Sequence, residues 1–408
     1  MKHRIIAMAL ALVLLAGCGE PLTKATSTPA PTPTQETTTI RVAPNGGGDY
    51  ATIEKAVQAA PEGSIITIAA GTYRPKESID IDKSLNLVGA GMDQTAIVSQ
   101  AEEFVIRFSG AGLFAAEGIT FRHEGETWSD PVVIKGGEIS LVRCRFAGGK
   151  KAALRIEGDT SGMVKDSLAE GGKWTIGIAL KDQAHPTLEN NTSTGNSYGI
   201  RLSDHAHPTL LNNLCNDNNL DGIRYDDNSG GIAQGNETSR NRTGFVITGQ
   251  AQPRLEDNTS SDNEGSGIDY VDNARGLARG NSISGNFGGI GILGTAQPTL
   301  QDNIITHNQS AGIAYFGGGG TAQGNQCTEN GFDGIGVFGN SAPKLQENIC
   351  NGNGRNGISF EQDSAGIAQN NECSGNKVGI HVVASSDPDL VDNDCQNNAE
   401  ADVQDLRP

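Results

Sequence analysis

The sequence predicts an all-β protein, a right-handed parallel β-helix solenoid with 22–23-residue coils and a short N-terminal capping helix. Three observations predict it. A glycine, nearly always followed by isoleucine, recurs at positions 177, 199, 222, 244, 267, 289, 312, 334, 357 and 379, in steps that alternate 22 and 23. Pro208, Pro253, Pro298, Pro343 and Pro388 stand 45 residues apart, the sum of one short and one long step, so the unit is a pair of coils. Asparagines form two further columns, Asn213, Asn236, Asn258, Asn281, Asn303, Asn325, Asn348, Asn371 and Asn393, then Asn241, Asn263, Asn286, Asn308, Asn330, Asn353, Asn376 and Asn398. Self-similarity at such a period marks a solenoid, in which each repeat buries its apolar face only by stacking on its neighbours.

Residues 1–18 read as an export leader: Lys2 and Arg4 give a positive start, and Ile5 to Leu14 is apolar but too short to span as a mature helix. Leu15-Ala16-Gly17-Cys18 resembles a bacterial lipobox, which implies lipidation at Cys18 and anchoring of an exported protein to a cell-envelope membrane. Residues 19–39, with Pro21, Pro29, Pro31 and Pro33 among many threonines, read as an extended linker. The β-helix is expected over residues 40–400, followed by a polar tail over 401–408. Thr52 to Ala60 predicts a short amphipathic helix with Thr52 as N-cap, its apolar side Ile53, Ala56, Val57 and Ala60 covering the open end of the first coil.

Within each coil three short strands are expected. After each repeat glycine the pattern is apolar, variable, apolar, as in Ile200/Leu202, Ile223/Tyr225 and Ile290/Ile292, the period of two of a strand with one buried face. A second strand runs through segments such as Pro298-Thr299-Leu300, and a third follows the asparagine, as in Asn303-Ile304-Ile305. Equivalent asparagines on stacked coils would lie about 4.8 Å apart, close enough for amide ladders. A leucine-rich repeat shares the period but needs a leucine-rich consensus that these coils lack.

Formal net charge is −18, which argues against nucleic acid as a partner. Basic residues thicken only at Lys150, Lys151, Arg155, Lys165, Lys173, Lys181, Arg201 and Arg224, the one stretch suited to an anion.

Val42-Ala43-Pro44-Asn45-Gly46, Asp49-Tyr50-Ala51-Thr52-Ile53, Gly71-Thr72-Tyr73 and Leu87-Val88-Gly89-Ala90-Gly91 resemble the opening coils of the pectin lyase-like superfamily, and the later coils resemble bacterial right-handed β-helix repeats. The resemblance implies the fold and a carbohydrate partner. It supplies no catalytic residue: the motifs of pectin methylesterases, mannuronan epimerases and polygalacturonases are absent from this chain, and Ser386-Asp387-Pro388-Asp389 is only a local form of the proline column.

Candidate chemistry therefore rests on the outward columns of the strand after each glycine. One reads Arg201, Arg224, Val246, Asp269, and the next Lys181, Ser203, Asp226, Thr248, with Asp182, Asp204, Asp227 and Asp272 at the following turn and His205 beside them. Lys181, Arg201, Asp204, Arg224, Asp226 and Asp227 are the candidate catalytic set. His205, Asp269, Asp272, Phe316 and Phe338 are candidates for substrate binding. Such groups, about 5 Å apart on adjacent coils, suit an anionic sugar, Ca²⁺, or acid/base work at a glycosidic bond; the alternative is a solvated face of paired charges. Further on, Val271, Leu293, Phe316 and Phe338 replace charge with an apolar row, a stacking platform for sugars or a protein-contact face.

His185, His205 and His207 occupy repeat positions filled by glutamine in later coils, at Gln252 and Gln297, so no metal is assigned to them. Cys327, Cys350, Cys373 and Cys395 form a core column in which stacked thiols and disulfides are both open; a straight ladder does not converge on a tetrahedral zinc. Two functions follow: an anchored module that binds polysaccharide or a surface protein along the solenoid, and a polysaccharide-active lyase, hydrolase, esterase or epimerase.

Overall fold

The computed structural model describes residues 37–408. The leader, Cys18 and all but the last three residues of the linker lie outside the described residues. From Thr39 the chain winds into a parallel β-helix whose coils contribute strands to three sides. One side is a sixteen-stranded sheet running from Thr39–Val42 to Asp387–Val391, and another is a fifteen-stranded sheet from Ile79–Ile81 to Ala401–Asp405. The third side holds a six-stranded and a five-stranded sheet, continued by isolated bridges at Leu214, Ile349, Glu372 and Asp394.

Within the four sheets every strand pairing is parallel and joins positions one coil apart. The residue after each repeat glycine stacks as Ile178, Ile200, Ile223, Phe245, Ile268, Ile290, Ile313, Ile335, Ile358 and Ile380, all buried. The glycine itself is demanded by close approach. A Cβ on Gly334 would lie 2.6 Å from the Gly357 carbonyl oxygen and 2.8 Å from Asn353 Nδ2.

The 45-residue unit has a physical cause. Where one coil opens its second strand with proline, the next has Gly231, Gly276, Gly320 or Gly366 at φ between +95° and +114°, and a Cβ there would lie 2.1–2.3 Å from the preceding proline's carbonyl oxygen. These glycine coils also carry the bulky core residues Tyr225, Tyr270, Tyr315 and Phe360, whereas proline coils place Leu202, Ile247, Ile292, Val337 and Val382 there.

Both asparagine columns are hydrogen-bonded ladders. Asn258, for example, donates its backbone N–H (2.9 Å) and Nδ2 (3.0 Å) to Asn281 Oδ1, and its Nδ2 also donates to the Ala233 carbonyl (2.9 Å). The rungs from Asn213 to Asn371 and from Asn218 to Asn376 repeat this with the same sense. The ladders begin earlier than the sequence columns indicated, at Asn191 in the first and at Asn196 and Asn218 in the second. Buried amides so paired satisfy each side chain and two backbone groups of every coil.

The N-terminal helix spans Ile53–Ala59, with Thr52 Oγ1 accepting from Lys55 N–H and with Ile53, Ala56 and Val57 buried against the first coil. At the other end, residues 401–405, expected in a polar tail, instead form the last strand of the fifteen-stranded sheet, pairing Val378↔Ala401 and Ile380↔Val403. Backbone pairing with the preceding coil carries a polar, exposed sequence into register there. Cys144, Cys215, Cys327, Cys350, Cys373 and Cys395 are free thiols, the last four stacked in the core column, and burial drives Cys144 up to about 12.

Candidate functional site

The fifteen-stranded sheet turns its outer face to solvent, and its register holds the predicted column in line: Arg107, Val133, Arg155, Ala179, Arg201, Arg224, Val246, Asp269, Gly291, Ala314 and Gly336 succeed one another coil by coil. The sheet's regularity thus converts a sequence period into a straight line of side chains.

Its first half is basic and aromatic. Arg201 and Arg224 both donate Nε–H to Asp226, each at 2.7 Å, and Arg224 Nη1 reaches Asp221 at 2.9 Å. Their guanidinium groups lie over the Tyr198 ring, 5.2 and 5.8 Å from its centroid. Two coils before Arg201, Arg155 Nε donates to buried Asp130 at 2.9 Å. A cleft of about 450 Å³ opens here between Trp128 and Trp174, with Lys150, Lys151, Lys181 and Arg201 among its walls. Trp128 is 71% and Trp174 77% exposed, the two most exposed large apolar side chains among the described residues. Neither tryptophan is legible from the sequence periodicity, because both sit in irregular turns between strands, outside any column.

The turn aspartates take a different part. Asp182, Asp204, Asp227 and Asp272 all have φ between +57° and +62°, in the left-handed region, where Gly249 and Gly294 stand in other coils. Asp204 Oδ2 accepts the Asp182 N–H at 3.3 Å, Asp227 Oδ2 accepts the Asp204 N–H at 3.0 Å, and Asp272 Oδ2 accepts from Thr248 Oγ1 at 2.6 Å. The Thr248 hydrogen bond holds the Asp272 carboxyl below its usual range. These carboxylates tie the turn to the preceding coil. His205, exposed, has Nε2 3.5 Å from Asn228 Nδ2, and His207 Nδ1 lies 2.7 Å from the His205 carbonyl. Among the described residues no group of three or more His, Cys, Asp or Glu side chains is arranged to hold a metal ion.

The second half of the face is apolar. Leu293, Phe316 and Phe338 are register partners, as the sequence columns predicted, and the two phenyl rings stack with centroids 5.0 Å apart and planes 11° from parallel. Together with Phe287 and Phe332 they wall a cavity of about 320 Å³ that also takes in Asp269. Burial pushes the Asp269 carboxyl up to about 6, with Ser266 hydrogen bonding opposing and Asp221 adding to the shift.

The sheet and its outward columns define a class, and comparison with known families states it. The family model described as "right handed beta helix region" matches residues 105–242, 173–303 and 288–403, and the chain belongs to that family. Among solved structures, a periplasmic alginate epimerase aligns at 16% identity over 84% of this chain and 82% of its own, with a TM-score of 0.48. The A-module of a mannuronan C-5 epimerase from Azotobacter vinelandii aligns at 16% identity over 84% and 92%, with a TM-score of 0.44. A pectin methylesterase from carrot aligns at 19% identity over 68% and 84%, with a TM-score of 0.35. No curated protein matches the chain.

Proposed function

We propose that the protein binds an acidic polysaccharide across the outer face of the fifteen-stranded sheet, as an exported module held at the cell envelope through Cys18. The observation that carries this reading is the Trp128–Trp174 cleft. Two exposed indoles flank Lys150, Lys151, Lys181 and Arg201 on a protein whose net charge is −18. Indole faces stack on the apolar faces of sugar rings, and ammonium and guanidinium groups pair with uronate carboxylates. An isolated basic cluster on an acidic molecule selects an anionic ligand locally while the rest of the surface repels it.

Binding is favoured over turnover in this half of the face because its buried carboxylates are already occupied. Asp130 is paired with Arg155, and Asp221 and Asp226 with Arg201 and Arg224. Asp204 and Asp227 are engaged by backbone N–H groups of the turn. Arg201 and Arg224 retain further N–H groups for a ligand.

Calorimetric titration with oligouronates and with neutral oligosaccharides of equal length tests the reading. The uronates should bind, and Trp174→Ala or Arg201→Ala should each weaken them at least tenfold. Equal affinity for the neutral series, or no change in Trp174→Ala, would sink it. Following reducing ends and unsaturated products in the same mixtures separates binding from turnover; product lost on Arg224→Ala would replace the module with an enzyme.

A further inference from the structure

We propose that the cavity around Asp269 is a second subsite on the same face, and that it takes a protonated amino-sugar unit; the proposal rests on the polysaccharide reading above. Asp269 differs from the buried carboxylates of the same sheet and its turns. Asp130, Asp221, Asp226 and Asp333 are each engaged by an arginine, namely Arg155, Arg224, Arg201 with Arg224, and Arg355. Asp269 alone of this set has no cationic partner among the described residues, and Ser266 is its polar neighbour. A partly buried carboxylate facing apolar walls is an incomplete ion pair, and the missing half is a cation.

The walls say what kind of cation. Phe316 and Phe338 present stacked rings, and Phe287 and Phe332 are exposed beside them, so the cation must be carried on something with an apolar face. Among the described residues no lysine, arginine or histidine lines the cavity, so none of them competes there for the carboxylate. Arg355, which lies over the Phe332 ring, is already committed to Asp333 and Glu361. The volume of about 320 Å³ is at the small end of ligand pockets and suits one sugar ring. Space above the carboxylate is kept by Gly291, whose Cβ would lie 2.4 Å from Asp269 Oδ1. A sugar ring bearing an ammonium group meets all of these: its C–H face lies on the phenyl platform, and its N–H groups donate to Asp269.

The spacing joins the two subsites. Arg201 and Asp269 are separated by three coil steps in register, about 14 Å at ~4.8 Å per coil. One extended saccharide chain therefore crosses both, with acidic units at the tryptophan end and an amine-bearing unit at the phenylalanine end.

The probes are the disaccharide of β-1,4-linked glucosamine and its N-acetylated counterpart, titrated into the protein at pH 7, with an oligouronate as a separate ligand. The wild type should bind the free-amine disaccharide at least tenfold more tightly than the acetylated one. Asp269→Asn should abolish that preference, and Phe316→Ala should weaken amine binding. Gly291→Ala serves as a second variant that blocks the cavity without removing the carboxylate, and it too should lose the amine ligand. Equal affinity for the two disaccharides, or amine binding that survives Asp269→Asn, overturns the proposal. In that case oligouronate binding that still depends on Trp174 leaves the first subsite standing, so the two failures are distinguishable.

Discussion

Tyr225, Tyr270 and Tyr315 bury their hydroxyls in the core with no hydrogen-bond partner among the described residues. Burial pushes all three phenols above their usual range. The next position of the series is Phe360, which fills the same place with no hydroxyl at all. Tyr270→Phe should therefore be neutral or stabilising by about 1 kcal/mol, read from the urea midpoint. The asparagine rungs behave oppositely. Asn281→Ala strips the acceptor from two donors of Asn258 and the donor from the Leu255 carbonyl, and should cost about 3 kcal/mol, seen as a lower Tm. Asp269 gives a pH signature. Its carboxyl is raised to about 6 in the fold, so its contribution to stability is full below pH ~4, the unfolded range, and is lost as pH rises through about 6. The nearby titrating group is Asp221, itself raised by burial. Asp269→Asn should gain Tm relative to the wild type at pH 7 and lose that advantage at pH 4, in paired thermal melts.

Single coils are defined by where they cannot carry a side chain. Gly276, at φ +114° with the Pro253 carbonyl 2.3 Å from any Cβ, is one such position. Gly276→Ala should cost about 2 kcal/mol, measured as a fall in urea midpoint. The last coil shows a second constraint. The outer edges of Asp387–Val391 and Ala401–Asp405 have no following strand, and they expose Val391, Val403 and Leu406. Asp387, Asp389, Asp392, Asp394, Asp402 and Asp405 cluster there, charge of the kind that discourages edge-to-edge pairing. Replacing Asp389 and Asp394 by threonine should produce concentration-dependent association in sedimentation velocity, where the parent chain stays unassociated through this edge.

Over the whole molecule, what the sequence disclosed followed its periodicity. Glycine and asparagine columns are legible because each position meets the same neighbour in every coil, so one steric rule is written many times. The line from Arg201 to Asp269 and the phenyl row at Phe316 and Phe338 were legible for the same reason. The strand over 401–405 was not, since its pairing comes from the coil beneath and its sequence is polar throughout. Trp128 and Trp174 were hidden because irregular turns bring them together from coils that lack the later regularity. The turn aspartates could be placed by their column, but their use as backbone acceptors at positive φ depends on geometry that a column of carboxylates does not reveal.

The asparagine-to-asparagine bonds all run one way, each backbone N–H accepted by the amide oxygen one coil further toward the C-terminus, while Nδ2 also reaches back to a carbonyl of the preceding coil, so a rung ties three coils together. A coil without its C-terminal neighbour therefore carries a rung of unpaired donors. A coil without its N-terminal neighbour instead leaves its amide oxygen without donors, so the two open ends of a partly folded solenoid are chemically unlike. In the second ladder, Asn398 donates its N–H and Nδ2 to Asp402 Oδ1 instead of to another asparagine. That aspartate stands where a further coil's amide oxygen would, and satisfies the donors at the ladder's open end.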